Sequence, residues 1–273
     1  MSAFRGRGSY WGPRPAGPST SAASGWWSAA GQFLYKRDGA WPSAVETDPN
    51  FSSVALLLHM DGSNGATTFT DSSSNAVALT ANGDAKISTA QSKFGTASGL
   101  FDGNGDWVHA ADNNLWDFVN SGDFTLEFFV RFASTDATAF CGQSNGGGTV
   151  PKWGLYFNDG ATIGANKLGY ILATSVSSDF TISASWSPTT SQWYHVASTR
   201  SGNDYRFFID GVQIGTTLTS SYRPATSTGQ LRIGSDGEQY RLLNGNLDEF
   251  RITKGVARYT AAFTAPTAPF PDA

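Results

Sequence analysis

Residues 124–132 read FTLEFFVRF. Phe124, Leu126, Phe128, Val130 and Phe132 fall on every second position, so an extended chain shows one wholly apolar face. That period of two defines a β-strand and excludes an amphipathic helix, whose apolar residues recur every three to four positions. Working outward, QWYHVASTR (residues 192–200) alternates as well: Trp193, His195 and Ala197 oppose Tyr194, Val196 and Ser198. In YRFFIDGVQIG (residues 205–215), Tyr205 to Ile209 and Val212 to Gly215 flank Asp210-Gly211, a pair suited to a two-residue hairpin turn. No segment sustains a helical apolar period. Many short strands joined by Gly-rich turns predict a sandwich whose sheets share one core.

Composition supports this reading and narrows the function. The chain has 273 residues, 31 of them glycine, and few charges. Its formal net charge is −4, unevenly spread: Arg5, Arg7, Arg14, Lys36 and Arg37 give residues 1–37 a charge of +5, leaving −9 on the rest. An acidic body lacks the clustered Lys and Arg that phosphate contacts need, so nucleic acid is not an expected partner. Cys141 is the only cysteine, which excludes an intrachain disulfide. CGQSNGGG places no His or basic group beside it, so a small buried or loop thiol is expected. Apolar runs such as VALLL are far shorter than a membrane span, and the N-terminus has no signal-peptide core. Synthesis in the cytoplasm without membrane insertion is the expectation.

Two stretches bracket the β region. The first is SSVALLLHMDGSNGATTFTDSSSNAVALTANGDAKISTAQSKFGTASGLFDGNGDWV (residues 52–108), the second GNLDEFRITKGVARYTAAFTAPTAPFP (residues 245–271). With FTLEFFVRF, QWYHVASTR, YRFFIDGVQIG and GQLRIGSD between them, they resemble the laminin-G-like, concanavalin-A-like jelly-roll domains of tailed-phage virion proteins, especially marine ones. The resemblance covers about four fifths of the chain in unbroken order. It implies an all-β jelly-roll sandwich of two antiparallel sheets over residues 51–273. It also implies a virion structural protein with no cofactor chemistry.

Residues 1–50 read differently. Gly, Pro, Ser and Arg dominate the first 24 residues, which cannot bury enough apolar surface to fold alone. GWWSAAGQFLYKRDGAWP (residues 25–42) then concentrates aromatic residues, and Ser28 to Lys36 could form a short helix capped by Ser28 and ended by Gly39. A GxW…Q…WP pattern resembles a segment that precedes jelly rolls in phage structural proteins. Trp26, Trp27, Phe33 and Trp41 are the candidate apolar anchors docking such an arm on other virion proteins.

Candidate chemistry is sparse. Glycoside hydrolases need two carboxylates on one cleft face. Some glucanases of this fold class carry a Glu-x-Asp-x-x-Glu strand, but Phe124 to Phe132 offers only Glu127, with Asp123 at its edge. Asp248 and Glu249 are adjacent, so a regular strand would point them to opposite faces. His59, His109 and His195 lack a Gly-x-Ser-x-Gly partner motif, and His195 reads as a hydrogen-bonded strand residue. Asp102-Gly-Asn104-Gly-Asp106 mimics half an EF-hand loop, but Trp107 and Asn113 occupy positions that need Gly and Glu, so it reads as a turn between strands. Jelly-roll lectins often hold a structural calcium near their joined termini. By that resemblance Asp61, Asp71 and Asp248 are candidate Ca²⁺ ligands, weighed against ordinary turn hydrogen bonding.

The resemblance also implies shallow sugar sites that combine an aromatic platform with polar groups. The aromatic inventory is Trp107, Trp116, Trp153, Tyr156, Tyr170, Trp186, Tyr222 and Tyr240. Among these, Trp153, Trp186 and Tyr240, with Arg241, sit in Gly-, Ser- and Asn-rich surroundings that predict exposed loops at 145–152 and 236–241. Three functions therefore stand: a tail or fibre component binding host-surface polysaccharide, a capsid decoration or cement protein without a glycan ligand, and a glycan-degrading enzyme. A homo-oligomer is compatible with the first, although no heptads specify one.

Overall fold

The computed structural model describes residues 47–118, 122–144, 153–175, 178–224, 226–236 and 241–273. The expected arm helix and Trp26, Trp27, Phe33 and Trp41 lie outside these residues, as do Tyr240 and the 145–152 loop. The unit from Asp48 to Ala273 is compact. Among the described residues none forms a helix long and apolar enough to cross a membrane.

The described residues form fifteen strands in chain order: β1 Val54–Leu58, β2 Thr80–Asn82, β3 Lys86–Ser88, β4 Ser98–Asp102, β5 Trp107–Ala110, β6 Phe124–Phe132, β7 Thr138–Gln143, β8 Trp153–Phe157, β9 Lys167–Ser175, β10 Ser178–Ser185, β11 Trp193–Ser201, β12 Asp204–Ile209, β13 Val212–Thr219, β14 Leu231–Ile233 and β15 Asn244–Lys254. They form two sheets. The eight-stranded sheet runs β13-β12-β11-β6-β15-β4-β3, with β1 also on β15, and the seven-stranded sheet runs β10-β9-β8-β7-β14-β5-β2. Neighbouring strands pair antiparallel throughout.

The alternation in FTLEFFVRF sets the core. Phe124, Leu126, Phe128, Val130 and Phe132 all join the main apolar cluster between the sheets, where they meet Phe140, Trp153, Leu155, Phe157 and Tyr170 of the opposite sheet. The predicted hairpin is present: Asp210 (φ 50°) and Gly211 (φ 80°) both take the left-handed backbone that a two-residue turn demands. A Cβ on Gly211 would meet the Phe263 carbonyl oxygen at 2.0 Å, so the turn also needs glycine for close approach.

Of the odd positions of β6, Arg131 is half-buried, and Thr125, Glu127 and Phe129 do not face water. The segment from Gly255 to the C-terminus crosses the outer face of the eight-stranded sheet and covers them. Gly255 N–H donates to the Asp123 carbonyl, Phe263 N–H to Gly211, and the Asp48 N–H to the carbonyl of Ala273. Under this strap Glu127 is fully buried and accepts from Arg251 Nε and Nη2 at 3.0 and 2.8 Å and from the Tyr259 hydroxyl at 2.8 Å. Asp48 accepts from Arg251 at 3.1 Å and from Arg258 at 2.9 and 2.6 Å. Burial opposes charge on Glu127, yet Arg251 and its other partners win and hold it near a pKa of about 2. His195, expected as a hydrogen-bonded strand histidine, donates its backbone N–H to Asp210 Oδ1 at 2.8 Å. Its buried ring, with Nε2 3.3 Å from Glu127, lies in an aromatic cage of Phe129, Tyr259, Phe263 and Phe270.

Candidate glycan-binding site

The site follows from which aromatic rings reach the surface. Trp153 is wholly buried: it opens β8 facing the other sheet, donates its indole N–H to Gln143 Oε1 at 3.2 Å and meets Phe118 edge-on. Trp186 is 8% exposed and packs against Phe132, Phe157 and Tyr194. Both expectations of exposure are corrected here. Polar sequence neighbours set the loop composition, but the ring turns inward because a two-sheet core takes most large apolar side chains. Arg241 is described and partly exposed, but its guanidinium is committed. Nε meets Asp159 at 3.0 Å and Nη1 meets Asp236 at 3.0 Å, with the Tyr156 ring 5.5 Å away. It ties two loops together.

Among the described residues, the exposed large apolar side chains are Val212 and Tyr222, the latter 46% exposed. Tyr222 lies on the segment that leaves β13 and crosses to β14 in the other sheet. Its backbone is fixed on both sides: the N–H donates to Ser220 Oγ at 3.1 Å, and the carbonyl accepts from the Tyr205 hydroxyl at 2.7 Å. Burial pushes the Tyr205 phenol up to about 12, so it stays a donor at neutral pH. The Tyr222 ring stacks on Phe180 of β10 with centroids 4.4 Å apart and planes inclined by 30°. One face is therefore held and the other is open. A rigid aromatic face with its π-electron surface toward solvent suits the C–H face of a sugar ring. The context SSYRPATS is as polar as the contexts that pointed to Trp153. What the sequence lacked was any sign of which ring the fold leaves outside.

The acids do not assemble a cleft pair. Glu127 is sealed in its ion network, and Asp123 Oδ1 accepts from the Gly202 N–H at 2.7 Å. The expectation that Asp248 and Glu249 face apart is corrected. β15 bulges between Asp248 and Arg251, with Glu249 at φ 51°, so Glu249 and Phe250 both oppose Phe128. Asp248 Oδ2 accepts from the N–H groups of Lys93 and Phe94, and Glu249 Oε2 accepts from Phe270, whose ring shares a cluster with Phe94. Both carboxylates thus reach the outer face, yet both are buried. Glu249 is paired with His59 Nδ1 at 2.9 Å, a hydrogen bond that raises the imidazole pKa. Burial first, then the charges of Glu249 and Asp61, push the Asp248 carboxyl up to about 7.

The three acids considered for calcium are placed as follows. Asp61 Oδ1 accepts from Thr96 N–H, Thr96 Oγ1 and Ala97 N–H. Asp71 uses both oxygens on Leu57, Ser73 and Val77. Asp248 keeps one buried oxygen, Oδ1, without a partner. Asp61 and Asp248 feel each other's charge, but the three do not gather. Among the described residues, the acids whose ligand oxygens lie within 4.8 Å of one another are Asp84, Asp102 and Asp106. Asp102 and Asp106 belong to the turn read from Asp102-Gly-Asn104-Gly-Asp106, and Asp84 to the turn between β2 and β3; Asp106 accepts from the N–H groups of both Asp84 and Asp102.

Two stacked antiparallel sheets in this order, crossed by one apolar core, define a concanavalin-A-like jelly roll. Residues 102–258, more than half of the chain, match the Concanavalin A-like lectin/glucanases superfamily, and the chain belongs to it. No curated protein matches the sequence. Three solved structures are similar in fold. The binding domain of Paraclostridial Mosquitocidal Protein 1 gives a TM-score of 0.56 at 15% identity, over 78% of this chain and 50% of that one. Domain 4 of an extracellular arabinanase from Geobacillus stearothermophilus, solved in complex with arabinotriose, gives 0.55 at 18% identity, over 75% and 94%. The binding domain of botulinum neurotoxin serotype D gives 0.55 at 13% identity, over 76% and 49%. The chain thus spans about half of the toxin domains and nearly all of the arabinanase domain.

Proposed function

We propose that this chain is a non-catalytic, lectin-like structural protein of a tailed-phage virion, whose jelly roll binds glycans of the host surface. The observation that carries the reading is Tyr222, an exposed aromatic ring held flat against Phe180 and pinned through its backbone. Burial of Glu127, Asp248 and Glu249 favours binding over hydrolysis, because a glycosidase needs its two acids at an open cleft. The fold neighbours agree in kind: the arabinanase domain was solved with arabinotriose, and the toxin structures are binding domains. The virion setting rests on the phage-type sequence pattern and on the arm of residues 1–50, basic over residues 1–37 and Trp-rich over residues 25–42, which would dock the jelly roll on the particle. Many copies on one particle would turn weak single contacts into avid attachment.

The test is titration of the purified chain with host-surface polysaccharide, beside Tyr222→Ala. Saturable binding that falls at least tenfold in the variant, with unchanged Tm and no released sugar, is expected. Wild-type binding untouched by Tyr222→Ala would overturn the platform. Release of shorter sugars would make the protein an enzyme. A folded chain that binds no glycan would favour the decoration protein, and copy number per particle would then separate head from tail.

A further inference from the structure

A second polar cleft lies beside the Tyr222 segment. It has a volume of about 330 Å³ and is lined by Asn75, Val77, Ala111, Asp112, Asn113 and Trp116, among others. We propose that it is a binding site for neutral sugar, and that a single oligosaccharide occupies both this cleft and the Tyr222 platform. The proposal rests on the glycan-binding reading and locates the rest of the site.

The walls are built for recognition by local hydrogen bonding. On one side Asp71 folds the loop that carries Asn75 and Val77, accepting from the Val77 N–H at 2.8 Å. Asn75 Nδ2 donates to the carbonyls of Val54 and Ala55, which leaves its Oδ1 as an acceptor at the exposed wall. On the other side Asn113 caps the short 3-10 turn Asn114–Trp116 by accepting from the Leu115 N–H at 3.0 Å, which leaves its Nδ2 as a donor. Asp112 is exposed, but one oxygen is pinned: Oδ1 accepts from Gln143 Nε2 at 2.9 Å. Gln143 is buried and is held in turn by the Trp153 indole and the Gly229 carbonyl. Asp112 therefore presents its second oxygen in a fixed orientation, and fixing a binding group in advance lowers the entropy cost of binding.

Trp116, wholly buried, forms the floor. The cleft offers two acceptors, Asp112 and Asn75, and one donor, Asn113, over the apolar groups of Val77 and Ala111. That mixture matches a sugar ring, which has both donor and acceptor hydroxyls beside C–H faces. Among the described residues no Lys or Arg lines the cleft, and Asp112 brings negative charge. Phosphates, uronates and other anionic sugars are therefore disfavoured. The volume sits at the small end of ligand sites, enough for one or two rings.

The cleft and the platform share one segment. Thr226 Oγ1 donates to the Asp117 carboxylate, next to Trp116, and Gln143 links Asp112 to Gly229. Thr226 lies four positions after Tyr222, at most about 14 Å of extended chain. An oligosaccharide long enough to run along this segment would reach both, and engaging the second subsite becomes intramolecular once the first is filled.

The experiment titrates the full chain with linear neutral oligosaccharides of one to six units, arabinotriose among them, and with an oligogalacturonate. Calorimetry gives affinity, and the Trp116 indole N–H resonance, assigned through Trp116→Phe, reports on the cleft. In wild type we expect affinity to rise at least tenfold with chain length, the Trp116 signal to shift with the longer neutral ligands, and the acidic ligand to bind more weakly. In Asp112→Asn, which keeps the Gln143 contact, and in Asn113→Ala, that length dependence should vanish while single-sugar binding at Tyr222 persists. Unchanged length dependence in both variants, with binding lost in Tyr222→Ala, would overturn the cleft and leave the glycan reading intact. Preference for the acidic ligand would overturn the neutral class. No binding of any neutral sugar by wild type would overturn the glycan reading and the cleft with it.

Discussion

Glu127→Gln removes one charge from the buried network beneath the C-terminal strap and almost no volume. The magnitude can be worked in two ways. A free glutamate titrates near 4.3, whereas Glu127 is held at about 2, a difference worth about 3 kcal/mol of stability at neutral pH. Breaking a buried ion pair from one side costs about 3–5 kcal/mol, because the partner keeps its charge without compensation. Here Arg251 and Arg258 would be left with Asp48 alone. The two routes agree on about 3 kcal/mol. The sign with pH follows from the lowered pKa. Stability from Glu127 is complete above about pH 5 and is lost as the pH falls from about 4 toward 2, where the folded carboxylate also takes its proton. Urea unfolding of wild type and variant, followed by Trp fluorescence from pH 7 down to pH 3, should show a gap of about 3 kcal/mol that shrinks to less than half at the acid end. Because the pair is buried, 0.5 M salt should leave the neutral-pH gap nearly unchanged. A gap under about 1 kcal/mol at pH 7, or one that stays constant with pH, would refute the network as a source of stability.

Two further outcomes test other parts of the structure. Asp71→Asn should cost about 2 kcal/mol, because both carboxylate oxygens accept hydrogen bonds and an amide can replace only one of them. The loss of Tm should be the same in calcium and in chelator, whereas a loss confined to calcium would make Asp71 a metal ligand. Cys141 is wholly buried and its thiol is pushed up by burial, so a thiol reagent should label it only once the chain unfolds. Fast labelling of the native protein would contradict the packing around β7.

Much of the fold was legible because its causes are local. The alternation of Phe124 to Phe132 and the Asp210-Gly211 turn depend on neighbours in sequence, and both appear as read. Charge and composition likewise set the first 37 residues apart from the acidic body. The site was less legible. Trp153 and Trp186 have the flanking residues of surface loops but turn into the core, while Tyr222, in a similar context, stays outside. The difference lies in which strand each ring leaves and what faces it across the sandwich.

The sequence by itself determined that the chain forms strands, which residues of β6 face the core, and where one hairpin turns. Those are consequences of backbone geometry over two to ten residues. Only the tertiary structure decided the rest. The outer face of β6 is buried because a segment more than a hundred residues later lies across it. Asp248 and Glu249 reach one face because β15 bulges against β6. Trp116, Asp112 and Tyr222 come to one end of the sandwich because the chain crosses there between the two sheets. Exposure and proximity depend on distant parts of the chain, and no local pattern carries them.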